Sequence, residues 1–139
     1  MEIEFVASVS PIVADPPASA AFYRDRLGIG FEGAAGDYVF TDALPGVKHF
    51  GLWPLSEAAE ACFGTPVWPD HLRVPQASIE FEVADVAAAA AELAAAGLEL
   101  VHDARTEPWG QITARFLSPE GLLIAVCRTP WFHEGDGAG

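Results

Sequence analysis

Basic residues are scarce in this chain: seven Lys and Arg stand against twenty Asp and Glu, a formal net charge of −13 over 139 residues. That shortage removes the phosphate contacts on which binding to nucleic acid and to anionic membranes depends, so neither is expected as a partner. Cysteine is nearly absent as well. Cys62 and Cys127 are too few for a secreted disulfide scaffold and suit a reduced compartment. Cys127 lies in an apolar run and reads as a packed thiol. No apolar run reaches the roughly 18 residues of a membrane span. The opening Met1-Glu2-Ile3-Glu4-Phe5 lacks the basic start of a secretory signal, so a cytoplasmic protein is expected. The acidic surface keeps such a protein soluble and attracts cations, cationic small molecules included.

What the chain does have is a repeat. Ser8, Val13, Ala14 and Asp15 recur as Ser78, Val83, Ala84 and Asp85, seventy positions on. Each copy runs through a helical stretch to a glycine, Gly28 or Gly97, and each ends in a strand closed by proline, Pro54 or Pro130. Two copies of one unit stack to bury a surface that neither buries alone. Hydrophobic residues make up 51 % of the chain, enough for one shared core. A pocket is expected where the copies meet.

The first module covers about residues 3–55. Glu2 to Ile12 reads as a strand. Asp15 is a good N-cap, Pro16 suits a first helical turn, and Gly28 ends the helix. Ile29–Glu32, Tyr38–Thr41 and Val47–Trp53 read as three further strands, giving βαβββ. The stretch 56–76 does not fit the repeat. It begins as an acidic, alanine-rich turn, and the prolines at 66, 69 and 75 rule out a long regular element. It reads as a linker that folds over something. The second module, about 77–130, has a strand at Ser78–Val83 and an alanine helix capped by Asp85. Strands follow near Glu99–His102, Gln111–Leu117 and Leu122–Arg128, the last two joined by the turn Ser118-Pro119-Glu120-Gly121. Residues 131–139 form a tail whose end, Gly135–Gly139, reads as disordered.

Three segments carry a resemblance. Phe22-Tyr23-Arg24-Asp25-Arg26-Leu27-Gly28 resembles the first-helix signature of the glyoxalase/bleomycin-resistance/extradiol-dioxygenase superfamily, the vicinal oxygen chelate fold. Ile79-Glu80-Phe81-Glu82-Val83-Ala84-Asp85-Val86 resembles the start of its second module. Ser118-Pro119-Glu120-Gly121 resembles its Asp-Pro-x-Gly turn, with Ser in place of Asp. The resemblance spans about residues 3–130. It implies an α+β fold of two βαβββ modules whose curved sheets enclose a cavity. It also implies a homodimer with two equivalent clefts, since such proteins commonly complete each cavity with strands from both chains.

Enzymes of that superfamily hold a divalent metal with His, Glu or Gln from the first and last strands of each module. Carried over one at a time, those positions fall on Ser8, Ser78, Ala125 and a residue near Gly51. None is a usual ligand, because transition metals require imidazole, thiolate or carboxylate donors. No metal and no cofactor are therefore expected. His49 could approach the cavity if the register were wrong by two, and Glu80 lies two residues from Ser78 on the same strand face, so one His and one Glu could hold a metal weakly. His71, His102 and His133 share no ligand spacing. No nucleophile elbow, Cys-x-x-Cys or phosphate-binding glycine loop is present, so no catalytic residue is assigned.

The departure from the enzyme pattern points to the non-metal branch, drug-sequestering proteins of the bleomycin-resistance type. Glu107-Pro108-Trp109-Gly110 resembles a Gln-Pro-Trp-Gly segment whose tryptophan stacks on the drug. Glu32 and Tyr38 fall near an acidic and an aromatic drug-contacting position. Gly33 and Glu80 depart from the pattern where aromatics would stand, which argues against bleomycin itself. From the residues alone, Tyr38, Phe40, Trp53, Trp68, Trp109 and Phe116 are candidate walls for a flat ligand, although aromatics on strands often belong to the core. Ser8 and Ser78 make room, and Glu32 and Glu80 are acceptors for a cationic or hydroxyl-rich molecule. The expected function is sequestration of an antibiotic or natural product. The alternative is an enzyme of the same fold with a displaced or absent metal.

Overall fold

The computed structural model describes residues 1–34 and 36–134; the tail at 135–139, expected to be disordered, lies outside the described residues. Seven strands share one mixed sheet: β1 (Phe5–Val13), β2 (Val39–Thr41), β3 (Phe50–Pro54), β4 (Ala77–Glu82), β5 (Leu100–Thr106), β6 (Ile112–Leu117) and β7 (Leu123–Arg128). Their spatial order is β2-β3-β1-β4-β7-β6-β5. Three α-helices, α1 (Pro16–Ala21), α2 (Leu55–Phe63) and α3 (Val86–Ala95), complete an α+β fold. The sheet is open, with β2 and β5 at its edges. No helix among the described residues is long and apolar enough to cross a membrane.

The helix starts follow from their caps. Asp15 accepts a hydrogen bond from the Ala18 N–H at 3.2 Å and Asp85 from the Ala88 N–H at 3.0 Å, each satisfying a donor the helix leaves free. A π-helical turn, Phe22–Arg26, extends α1, and Gly28 stops it at a φ of +74°. The alanines of α3 let it lie close on the sheet, where Ala89 and Ala90 bury against Ala114 and Val126.

Two expected elements differ. Ile29–Glu32 is no strand: a single bridge joins Glu32 to Phe40. Glycines at 28, 30 and 33 favour turns there, and Gly33 takes a φ of +106°. The alanine-rich start of the linker is not a turn but α2, because Ala58, Ala59 and Cys62 make one buried face.

The repeat is visible in the strand pairing. At the centre of the sheet β1 runs antiparallel to β4, with Ser8 opposite Glu80 and Ser10 opposite Ser78. A shift of seventy residues exchanges these two pairs, so a pseudo-twofold axis passes between them. The outer pairings repeat as well. β1 lies parallel to β3 with Val9 opposite Phe50, and β4 lies parallel to β7 with Ile79 opposite Ile124. Sheet curvature follows from a contact. β3 and β6 are four strand spacings apart, about 19 Å on a flat sheet, yet the Arg115 guanidinium carbon lies 5.3 Å from the centre of the Trp53 ring. The sheet bends round a concave face.

One buried carboxylate ties down the end of the second module. Glu82 on β4 is fully buried. It accepts from the Thr129 N–H at 2.7 Å, the Thr129 hydroxyl at 2.9 Å and the Cys127 thiol at 3.4 Å, and it pairs with His133 Nε2 at 2.6 Å. These bonds hold the 3-10 turn Pro130–Phe132 against the sheet. Removing the carboxylate strands several buried donors, so Glu82→Ala should cost roughly 3–5 kcal/mol. Loss of the α3 cap in Asp85→Ala should cost about 1 kcal/mol. Urea denaturation of both variants checks the order; equal costs would mean that Glu82 is not a structural tie.

Candidate functional site

A cavity of about 520 Å³ fills the concave face. Ser8 and Ser10 of β1, Phe40 of β2, Trp53 of β3, Ser78 and Glu80 of β4 and Arg115 of β6 all face it, with Tyr38 and His49 just before β2 and β3. Trp109 and Gln111 enter from the turn before β6, and Trp131 and Phe132 from the 3-10 turn after β7. Both halves of the one chain supply the lining.

Seven of the residues expected at the site line this cavity: Ser8, Tyr38, Phe40, Trp53, Ser78, Glu80 and Trp109. Three do not, and each for a physical reason. Trp68 is buried among Ala59, Cys62 and Leu123 and sets its ring edge-on to Phe63 at 4.9 Å; the proline-rich linker turns it inward onto α2. Phe116 packs against the cluster under α3, because strand alternation sends 112, 114 and 116 to one face and 111 and 115 to the other. Glu32 is exposed at the sheet edge and joins only the bridge to Phe40.

The acidic centre of the cavity is a short network. Glu80 Oε1 accepts from the Ser8 hydroxyl at 3.0 Å and from Gln111 Nε2 at 3.0 Å. The Gln111 carbonyl in turn accepts the Trp109 indole N–H at 2.9 Å. Gln111 therefore couples the position of the Trp109 ring to Glu80. The turn that presents Trp109 is closed by the Gly110 N–H on the Glu107 carbonyl at 2.9 Å, with Gly110 at a φ of +97°. Trp109 remains 49 % exposed, an unburied aromatic at the mouth of a cavity.

A second network lies in the first module. His49 Nδ1 meets Asp42 Oδ1 at 2.6 Å, and His49 Nε2 meets the Tyr38 hydroxyl at 2.5 Å. With Asp42 accepting from Nδ1–H, the Nε2 lone pair accepts a hydrogen bond from the Tyr38 hydroxyl. Burial pushes the Tyr38 phenol well above its ordinary range, so it stays protonated, although a hydrogen bond with Ser10 pulls the other way. Phe40 and Tyr38 stack on the imidazole with ring centres 5.1 and 5.9 Å away. Burial also lifts the Glu57 carboxyl above its usual value, with Asp37 adding to the rise.

The floor of the second module carries the opposite sign. Arg115 is fully buried. Its Nη1 donates to Glu107 Oε1 at 2.8 Å and meets His102 Nε2 at 3.1 Å. Glu107 Oε1 also accepts from Thr113 and Arg105. Burial raises the Glu107 carboxyl, but the Arg115 charge and these bonds outweigh it and hold the group low. Burial lowers His102, helped by the Arg115 charge against a bond to the Asp103 backbone. A neutral His102 donating from Nδ1 to the Asp103 carbonyl at 2.7 Å leaves Nε2 free to accept. Arg115 Nε and Nη2 and the Ser78 hydroxyl find no partner among the described residues. Each such buried group costs about 1–3 kcal/mol.

His49, Asp42, Gln111, Arg115, Trp131 and Phe132 were not among the residues expected to bind. Arg115 had a signal: it is a lone charge inside the apolar strand run Ile112–Leu117. Trp131 and Phe132 had none, since they sit in sequence that reads as a tail.

The metal positions do not fit a metal. Ser8 and Ser78 hold hydroxyls, and Ala125, beside Glu80 on β7, and Gly51 hold no donor. Among the described residues no group of three or more His, Cys, Asp and Glu side chains is placed to share an ion. Both cysteines are free and buried, and burial pushes both thiols up, which leaves them poor nucleophiles.

Residues 6–126 match the family model described as Glyoxalase/Bleomycin resistance protein/Dioxygenase superfamily. No curated protein matches the chain. Among solved structures, one described as NAD-dependent benzaldehyde dehydrogenase from Legionella pneumophila superposes with a TM-score of 0.60 at 14 % identity, covering 87 % of this chain and 96 % of its own. A superfamily member from Vibrio splendidus 12B01 gives 0.57 at 18 %, covering 90 % and 98 %. Methylmalonyl-CoA epimerase from Mycobacterium tuberculosis gives 0.56 at 19 %, covering 95 % and 93 %. At these identities the likeness is one of fold.

The buried Arg115–Glu107–His102 cluster sets a pH dependence. Below about pH 6.5 the unfolded chain protonates His102 before the folded chain does, so stability falls as pH falls. Glu107 acts in the same direction at lower pH, because its folded value is depressed. Stability in urea should be lower at pH 5.5 than at pH 7.5, and the loss should shrink in His102→Gln. An equal loss in both proteins would place the titration elsewhere.

Proposed function

The chain belongs to the Glyoxalase/Bleomycin resistance protein/Dioxygenase superfamily, and from that premise we propose that it binds and sequesters a flat, aromatic, cationic small molecule, an antibiotic or natural product, without chemistry on it. One observation carries the reading: aromatic walls from both modules surround the acidic groups Glu80, Asp42 and Glu57 in a single cavity, while the superfamily's metal positions hold Ser8, Gly51, Ser78 and Ala125. Flat rings stack on such walls, and carboxylates in a cleft attract a cation. In a homodimer each protomer would carry its own cavity; light scattering should then give about twice the 14.7 kDa chain mass.

The Asp42–His49–Tyr38 chain favours a second reading, a metal-independent proton-transfer enzyme of the same superfamily. There the Tyr38 oxygen would take a proton from the ligand as it passes its own to His49, and Asp42 would steady the imidazolium so formed. Tyr38→Phe separates the two readings. A sequestering protein keeps most of its affinity in that variant, whereas an enzyme loses turnover, read as solvent deuterium entering the ligand.

Trp109 is the sharpest test of binding. Native mass spectrometry against a panel of planar antibiotics should find a complex, and complex formation should quench tryptophan fluorescence. Stacking on Trp109 contributes on the order of 0.5–1.5 kcal/mol beyond the area it buries. With that area added, Trp109→Ala should weaken binding at least tenfold, about 1.4 kcal/mol. The fold should survive, because the ring is half exposed. Unchanged affinity, or an unfolded variant, would mean that the ring does not face the ligand.

A further inference from the structure

We propose that Arg115 is the anchor for a ligand oxyanion, so that the molecule held in the cavity is dipolar, with a carboxylate or similar planar oxyanion at the floor and its cationic part toward Glu80. The inference rests on the binding reading above and names the ligand's chemistry.

The argument begins with which guanidinium atoms are used. Nη1 is engaged by Glu107 and His102. Nε and Nη2 have no partner among the described residues. These two nitrogens share one edge of the planar group, the edge that meets both oxygens of a carboxylate in a forked pair. Arg115 is fully buried yet lines the cavity, so that edge lies just beneath the cavity wall, and a ligand oxygen reaches it where the wall side chains part. The guanidinium carbon lies over the Trp53 ring, 5.3 Å from its centre, a cation–π contact that helps to hold the group in place. The Ser78 hydroxyl, also buried, unpartnered and on the cavity wall, is a further donor.

Charge points the same way. Around the floor, Arg115 and Arg105 face one carboxylate, Glu107, and His102 beside them is held neutral. That corner carries one uncompensated positive charge. The rest of the cavity carries Glu80, Asp42 and Glu57. A wholly cationic ligand would leave the buried edge unpaired, and a wholly anionic one would meet three carboxylates. A dipolar ligand satisfies both ends.

The experiment compares an aminomethyl-naphthoate with the corresponding aminomethyl-naphthamide, which has the same shape, the same ammonium and no oxyanion, by fluorescence titration of the full chain. The carboxylate should bind at least tenfold more tightly. Arg115→Lys, which keeps the charge and loses the fork, should abolish most of that ratio, whereas Trp109→Ala should weaken both compounds and preserve it. Should the lysine variant fail to fold, the Arg115 Nε–H resonance of the native protein decides: it should move with the carboxylate and not with the amide. Equal affinities, a ratio that persists in Arg115→Lys, or an unmoved resonance would overturn the anchor while leaving an aromatic binding cavity in place. If neither compound binds and the antibiotic panel also fails, the anchor and the binding reading fall together.

Discussion

The antiparallel pairing of β1 with β4 is the constraint on which the rest of the molecule depends. It joins two modules that each carry a buried apolar cluster under their own helix, and it fixes them by the pairs Ser8–Glu80 and Ser10–Ser78. Side-chain direction alternates along a strand, so a slip of one residue in either strand would turn its two polar groups away from the concave face and bring an apolar neighbour, Val9 or Ile79, into it. The cavity is therefore a product of register. Its two ends, Tyr38 and His49 on one side and Arg115 on the other, belong to opposite modules and meet only because the central pair holds.

Symmetry of backbone does not carry over to chemistry. The first module gives aromatic rings and acceptors, with the imidazole of His49 held between Asp42 and a phenol. The second gives the buried guanidinium and the network that sustains it. Placing Arg115 inside the protein carries a desolvation penalty that a single well-made pair barely offsets. Glu107 repays part of it through Nη1, and the cation–π contact with Trp53 adds to that. Since the free edge is left uncompensated, the native state holds a donor pair at a cost. Such groups persist where structure elsewhere is strong enough to bear them, and the Glu82 tie in the same module supplies that strength.

Much of this was legible in the residues because it rests on local chemistry. Asp15 and Asp85 mark helix starts by capping. The seventy-residue offset predicted the dyad that the strand register displays. Counting along strands placed Ser8, Ser78 and Glu80 on one cavity. The errors came where tertiary contacts decide. Trp68 looked like a presented loop residue, but its direction depends on α2, whose alanine-rich sequence reads equally as a turn. Phe116 was assigned to the cavity by type, whereas strand parity against Arg115 sends it to the other face. Trp131 and Phe132 became wall residues through a bond made fifty residues away by Glu82, which no local pattern reports. Gln111 reads in the sequence only as the start of a strand, and its role follows from the bonds that link the Trp109 ring to Glu80.

Gly51 shows how a missing side chain can decide what its neighbours do. It lies on β3, two residues from Trp53 and two after His49, both of which line the cavity. A side chain of any kind at this position would run into the phenol of Tyr38. The phenol lies over that glycine as it meets His49, so a side chain at 51 would push the phenol from its place in the Tyr38–His49–Asp42 chain. Glycine here does not serve a turn, since its φ is unexceptional; it serves close approach. The small residues at 8 and 78 act with it. Ser8 and Ser78 line the cavity directly, and their small side chains leave it room between the aromatic walls.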